Sequence, residues 1–216
     1  MPDQSRTPRR ALVVIDVQNE YFESGGMPIS YPPIETSLQR IGQAMDAARK
    51  AGIPVVVVQH DMPEEAPIFG KGSGGWDLHT EIAGRTAELH LNKSMPSVFT
   101  GTPLAQWLKE QDVDTLTVVG FMIQNCNAST VYEAYHAGFT VEVLSDASGA
   151  PSFDNAAGAA SAEEIHRVFN VVFHSNFAAV AATETWVEAL RNGQPLPRDN
   201  ILESSQRARQ AARLVA

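Results

Sequence analysis

The chain holds a single cysteine, Cys126, and its surroundings place that thiol where a nucleophile belongs. The apolar run Leu116 to Gly120 reads as a buried strand, the turn Phe121 to Asn125 follows, and a helical stretch is expected from Cys126 to Ala137, closed by Gly138. A thiol at such a point would face backbone N–H groups and the positive end of the helix, which favour the thiolate and supply donors for an oxyanion. The plainer reading of a lone cysteine is a buried structural thiol. Asp16 ends a second apolar run, Ala11 to Ile15, so its carboxylate would point into a crevice at a strand end; a turn or cap residue is the alternative. Lys93, by itself, reads as a solvated lysine in a loop.

The elements that must position these groups follow a simple alternation. Pro54 to Val58, Thr140 to Leu144 and Phe177 to Ala181 repeat the unbroken apolar pattern of a strand covered on both faces. Between them, Ile34 to Lys50 has apolar residues at helical spacing and stops at Gly52, Thr102 to Gln111 reads as a helix, and Ser161 with Glu164 forms a capping box opening a helix to about Phe173. Alternating strands and helices predict an α/β fold: one three-layer domain with a mainly parallel sheet and Rossmann-like topology. The domain is expected to span 1–216, with a core of about 11–192 and peripheral segments at 1–10 and about 194–216, the last ending in a docked helix or a frayed tail. The stretch from His60 to Phe99, with Gly70, Gly72, Gly74 and Gly75, is too irregular for one helix and is expected to roof the pocket.

Composition removes several classes of function. A net charge of -9 over 216 residues repels phosphate backbones, and no basic groove stands against it, so no nucleic-acid partner is expected. The run after Arg9 and Arg10 is too short for a membrane span or a signal core, and one cysteine forms no internal disulfide; a cytoplasmic, reducing setting is expected. A nucleotide-binding oxidoreductase would need a glycine-rich turn after the first strand, and VIDVQNEYF has none.

Asp16 in VVIDVQNEYF, Lys93 in LNKSMPSVFTGTPL and Cys126 in VVGFMIQNCNASTVYEAYHAGFTVEVLSDA together resemble the three signature blocks of isochorismatase-like cysteine hydrolases, in order and spacing, over about Ala11 to Ala182. The resemblance implies a catalytic triad of Asp16, Lys93 and Cys126. It also implies a cis peptide at Phe121–Met122 that aims the amides of Met122 and Cys126 at a substrate carbonyl oxygen. The glycine loop GKGSGGWDLHTEI resembles the metal-free, streptothricin-hydrolase-like members, and the Asp-x-His metal motif of the nicotinamidase branch is not matched by VQHDMP. Neither metal nor other cofactor is therefore expected. Phe22, His60, Trp76 and Phe121 are the candidates to contact substrate; the alternative is plain core packing for Phe22, packing of the loop against the domain or a partner subunit for Trp76, and half of a metal site with Asp61 for His60. The implied partners are a small-molecule substrate and further copies of the chain, as a dimer or larger homo-oligomer. Ile123, Asn125 and Asn127 depart from residues common in the family at those positions.

A charge about 4 Å from the thiol is worth roughly 4 kcal/mol at an effective dielectric near 20, so Lys93 and Asp16 would shift it in opposite senses by about three units each. The helix end then tips the balance, and Asp16 receives the thiol proton when substrate arrives. The expected reaction is hydrolysis of an amide, ureido or related C–N bond through a thioester. Vinyl-ether hydrolysis of isochorismate is the alternative, disfavoured because members with that chemistry generally lack the cysteine. A non-catalytic protein with a redox-sensitive thiol is a third.

Overall fold

The apolar runs become strands because both of their faces have a core to fill. In β1 (Arg10–Ile15), Ala11, Val13 and Ile15 enter one apolar cluster while Leu12 and Val14 enter another on the opposite face. A computed structural model describes the backbone of residues 7–215 and the side chains of residues 7–212; residues 1–6 of the expected peripheral segment lie outside the described residues. After β1 come α1 (Ile34–Lys50), β2 (Val55–His60), α2 (Thr80–Ala83), β3 (Leu89–Lys93), α3 (Leu104–Glu110), β4 (Thr115–Phe121), α4 (Ala128–His136) and β5 (Thr140–Gly149). A short hairpin of β6 (Phe153–Asn155) and β7 (Gly158–Ala160) precedes α5 (Ala162–Val172), β8 (Ala179–Ala181), α6 (Thr183–Asn192) and α7 (Ile201–Val215).

Six strands form one parallel sheet in the order β3-β2-β1-β4-β5-β8. Buried side chains of α1 and α6, such as Ile41, Met45 and Trp186, cover one face; those of α3, α4 and α5, such as Leu108, Val131 and Ile165, cover the other. The chain moves outward one way through β2 and β3 and the other way through β4 and β5, so a crevice opens beyond the carboxyl ends of β1 and β4. At that point the backbones approach closely. Gly120 pairs with Ile15, has φ +107°, and a Cβ there would lie 2.0 Å from the Ile15 carbonyl oxygen.

The helix Ile34–Lys50 and the capping box at Ser161 and Glu164 occur where the spacing predicts them. Three expectations need correction. The stretch between His60 and Phe99 is not merely loop: it contains α2 and the edge strand β3, where Leu91 and Lys93 point inward and His90 and Asn92 outward. Helical winding starts at Ile123 with a π turn, Ile123–Asn127, before α4, so Cys126 sits inside the first turn rather than opening the helix. The last strand begins at Ala179 because a second π turn, Phe173–Phe177, prolongs the winding of α5. Beyond Gly193 the chain ends in α7, whose Ile201 and Leu202 are exposed. No described helix is long and apolar enough to cross a membrane.

Candidate active site

Strand ends deliver the chemistry. Asp16 follows β1 directly, in the left-handed region at φ +52°, which Asp tolerates better than most side chains. His60 and Lys93 close β2 and β3 and are register partners. Cys126 rides on the π turn after β4, where the Met122 carbonyl accepts from Asn125 N (3.1 Å) and, in the wider register, from Asn127 N (3.2 Å). Side chains brace that turn. Thr130 Oγ1 donates to the Cys126 carbonyl at 2.7 Å and accepts from Val98 N at 3.2 Å, while Asn127 Nδ2 donates to the Gly120 carbonyl at 2.9 Å. The Phe121–Met122 peptide is cis.

Lys93 is the hub of the cluster. Its Nζ lies 2.7 Å from Asp16 Oδ2 and donates to Cys126 Sγ at 3.3 Å and to His60 Nδ1 at 3.1 Å. Asp16, Lys93 and Cys126 are 0%, 3% and 4% exposed, so these contacts operate with little solvent screening. At 2.7 Å the contact with Asp16 is a buried ion pair, and both the Lys93 ammonium and the Cys126 thiol act on this carboxylate as hydrogen-bonding neighbours. A carboxylate so placed retains lone pairs for an incoming proton. Asp16, His60 and Cys126 also present one ligand-type atom each within 4.8 Å of one another, the arrangement of a small metal site. The ammonium of Lys93 stands against all three, so a cation charge already fills the position and the donor set does not fit a metal.

The isochorismatase domain model matches residues 10–192. The chain belongs to the isochorismatase family of hydrolases. A crystal structure of an isochorismatase-type protein from Burkholderia xenovorans LB400 is 54% identical, superposes with a TM-score of 0.94, and the alignment covers 97% of this chain and 100% of that one. The isochorismatase family protein YddQ of Bacillus subtilis (strain 168) is 31% identical over 82% of this chain and 98% of its own length. The ureidoacrylate amidohydrolase RutB of Methylorubrum extorquens is 30% identical over 63% of this chain and 68% of its own.

In this isochorismatase-family site the resting thiol is not the low-pKa group that helix placement alone would favour. Burial pushes Cys126 up to about 12, the Asp16 carboxylate adds to the rise, and Lys93 offsets part of it. The π turn seats the sulfur in the apolar cluster among α3, α4 and α5, and burial is the largest influence on the thiol, opposite in sense to the lowering expected from helix placement. Burial also raises Asp16 above its ordinary value, against the opposing pull of Lys93. His60 is held below the usual histidine value by burial and then by the Lys93 charge. At neutral pH the proton therefore rests on the Cys126 thiol, beside the Asp16 carboxyl group.

The segment from Asp61 to Glu88, the expected roof, is tied to the residues after β1. Asn19 N donates to the Asp77 carbonyl (2.9 Å), Glu20 N to that of Gly75 (2.8 Å), and Glu20 Oε2 accepts from Phe69 N (3.2 Å). Trp76 is held at both ends: its indole donates to Asp61 Oδ1 at 2.8 Å, and its carbonyl accepts from Gln18 at 2.7 Å and Gln59 at 2.8 Å. Phe22 is half-buried and stacks on His79 with ring centroids 4.3 Å apart. Phe121 is not brought to a surface: its ring is fully buried, edge-on to Tyr21 and Phe22. Gln18, Glu20 and Asp61 hold the roof without having been singled out for that role in the sequence; the local signal for the first two is a polar side chain within a motif otherwise bound for the core.

Proposed function

We propose that the protein is a cysteine hydrolase that cleaves a C–N bond of a small amide or ureido compound through a thioester. The observation that carries this reading is the buried contact of one ammonium with both a thiol and the carboxylate beside it. Substrate binding brings a carbonyl carbon to Cys126 Sγ. The thiol proton passes to Asp16, the C–S bond forms, and Lys93 balances the charge that develops on sulfur and carboxylate. The Met122 and Cys126 amides hold the oxyanion. Asp16 then gives its proton to the departing nitrogen as the C–N bond breaks, takes one from the water that attacks the thioester, and returns it to the thiol as the acid leaves. Support for a ureido or amide substrate comes from the relationship to RutB, a ureidoacrylate amidohydrolase. A free thiol with this role suits a reducing, cytoplasmic setting.

A screen of ureido acids and small amides for ammonia release is the direct experiment. The expected result is turnover in the wild type, an acyl adduct by intact mass with a slow substrate, and essentially none of either in a folded Cys126→Ser variant. Full activity of the serine variant overturns the mechanism.

A further inference from the structure

The contact between Lys93 and His60 has a direction. An ammonium only donates, so His60 Nδ1, at 3.1 Å, is the acceptor, and a neutral ring that accepts at Nδ1 carries its proton on Nε2. The backbone that carries the ring is held in place. Gln18, itself fully buried, clamps the His60 backbone from both sides: its Oε1 accepts from His60 N at 2.8 Å and its Nε2 donates to the His60 carbonyl at 3.0 Å. Phe69 of the roof meets the imidazole edge-on at 5.8 Å. Beside it, Asp61 N donates to the Lys93 carbonyl at 2.8 Å, which locks the ends of β2 and β3 together.

We propose that His60 is a positioning residue: its Nδ1 lone pair holds the Lys93 ammonium in the orientation that reaches Asp16 and Cys126 at once. The triad is thereby a group of four, with Cys126, Asp16 and His60 arranged around the Lys93 ammonium and Gln18 behind the histidine. A buried ammonium with one proton unpaired is poorly satisfied, and rotation toward another acceptor would take its charge away from sulfur. The charged and titratable groups facing His60 are Lys93 and Asp16 from the neighbouring strands, Cys126 from the π turn and Asp61 from its own strand end. This role rests on the reading of Cys126 as nucleophile.

The test reads the thiol and the ring separately from turnover. In wild-type protein labelled with 15N-histidine, long-range 15N–1H spectra at pH 7.5 should show His60 as the neutral Nε2–H tautomer; an Nδ1–H tautomer overturns the proposal without any variant having to fold. His60→Leu, which removes the acceptor, should slow alkylation of Cys126 by iodoacetamide at pH 8 about tenfold, the change expected for one lost hydrogen bond to a charged group. His60→Asn places a side-chain oxygen close to the Nδ1 position and should restore the rate to within about threefold. Equal rates in wild type and a folded His60→Leu, or a folded His60→Asn no faster than His60→Leu, also overturn it. If the tautomer and rates are as expected while Cys126→Ser remains active, the nucleophile assignment has failed and the positioning of Lys93 has not.

Discussion

Lys93 Nζ stands 2.7 Å from Asp16 Oδ2 and 3.3 Å from Cys126 Sγ, so one positive charge is shared between a base and the thiol it must deprotonate. Removing either partner of that ion pair should move the thiol in opposite directions. Lys93→Met is expected to slow iodoacetamide alkylation of Cys126 at pH 8 by at least about tenfold, because Asp16 then opposes the thiolate without compensation. Asp16→Asn should speed alkylation, yet lower kcat by roughly 10² to 10⁴ because the proton acceptor is gone. Unchanged alkylation in both variants would separate these residues from the thiol.

Thr130 gives a second handle on the nucleophile. Its hydroxyl joins the Cys126 carbonyl to Val98 N in the loop after β3. Thr130→Val leaves the buried Val98 N–H without its partner, which should cost about 1–3 kcal/mol of unfolding free energy in urea melts. Thr130→Ser should recover most of that loss. Recovery no better than with valine would mean the methyl, not the hydroxyl, matters.

The raised thiol pKa predicts an alkaline stability limb with a definite sign. Cys126 stays protonated in the fold up to about 12, whereas the unfolded chain releases that proton near 9.0. Between those values the folded state binds more protons, so its stability falls as pH rises; below them the contribution is fully present. From about pH 9 to about pH 10.5 the wild type should lose about 1.5 kcal/mol more than Cys126→Ser in denaturant melts. Parallel pH curves for the two proteins would contradict the buried, protonated thiol.

At the roof, Trp76 donates its indole proton to Asp61. If Trp76 contacts substrate, as the family resemblance implies, Trp76→Phe keeps the ring and loses that tie, so KM should rise several-fold with kcat little changed; Trp76→Ala should raise KM further. A fall in kcat with constant KM would place Trp76 in the chemistry instead of the pocket wall.

Because the Lys93 ammonium occupies the space among Asp16, His60 and Cys126, turnover should be unchanged after exhaustive chelation. Zinc or iron in one-to-one ratio with activity, measured by elemental analysis, would count against that arrangement.

The sheet was legible in the sequence because its central strands are apolar on both faces, a pattern that Val55 to Val58 and Leu116 to Val119 carry with little interruption. β3 was not. As an edge strand it buries only alternate side chains, and Leu-His-Leu-Asn-Lys is too short and too polar to stand out from the glycine-rich stretch before it. Lys93 consequently looks like a loop lysine until the pairing of His60 with Lys93 is seen. The triad was legible only as three blocks taken together, since Asp16, Lys93 and Cys126 lie far apart along the chain. The polarity of the site was harder still. Whether a helix-borne thiol is lowered or raised depends on how deeply the π turn sinks it, and nothing in Phe121 to Asn127 announces a π turn.

The division between strand ends and roof has a consequence for substitution. Asp16, His60, Lys93 and Cys126 are fixed by the sheet and the turn after β4, while the contiguous segment from Asp61 to Glu88 supplies Phe69, Trp76 and the glycine turns above them. Changes confined to the stretch around Trp76, away from the Asp61 and Phe69 contacts that brace Lys93 and His60, would leave those four groups where they stand. Any such change must keep the backbone positions that Gln18, Asn19 and Glu20 hold.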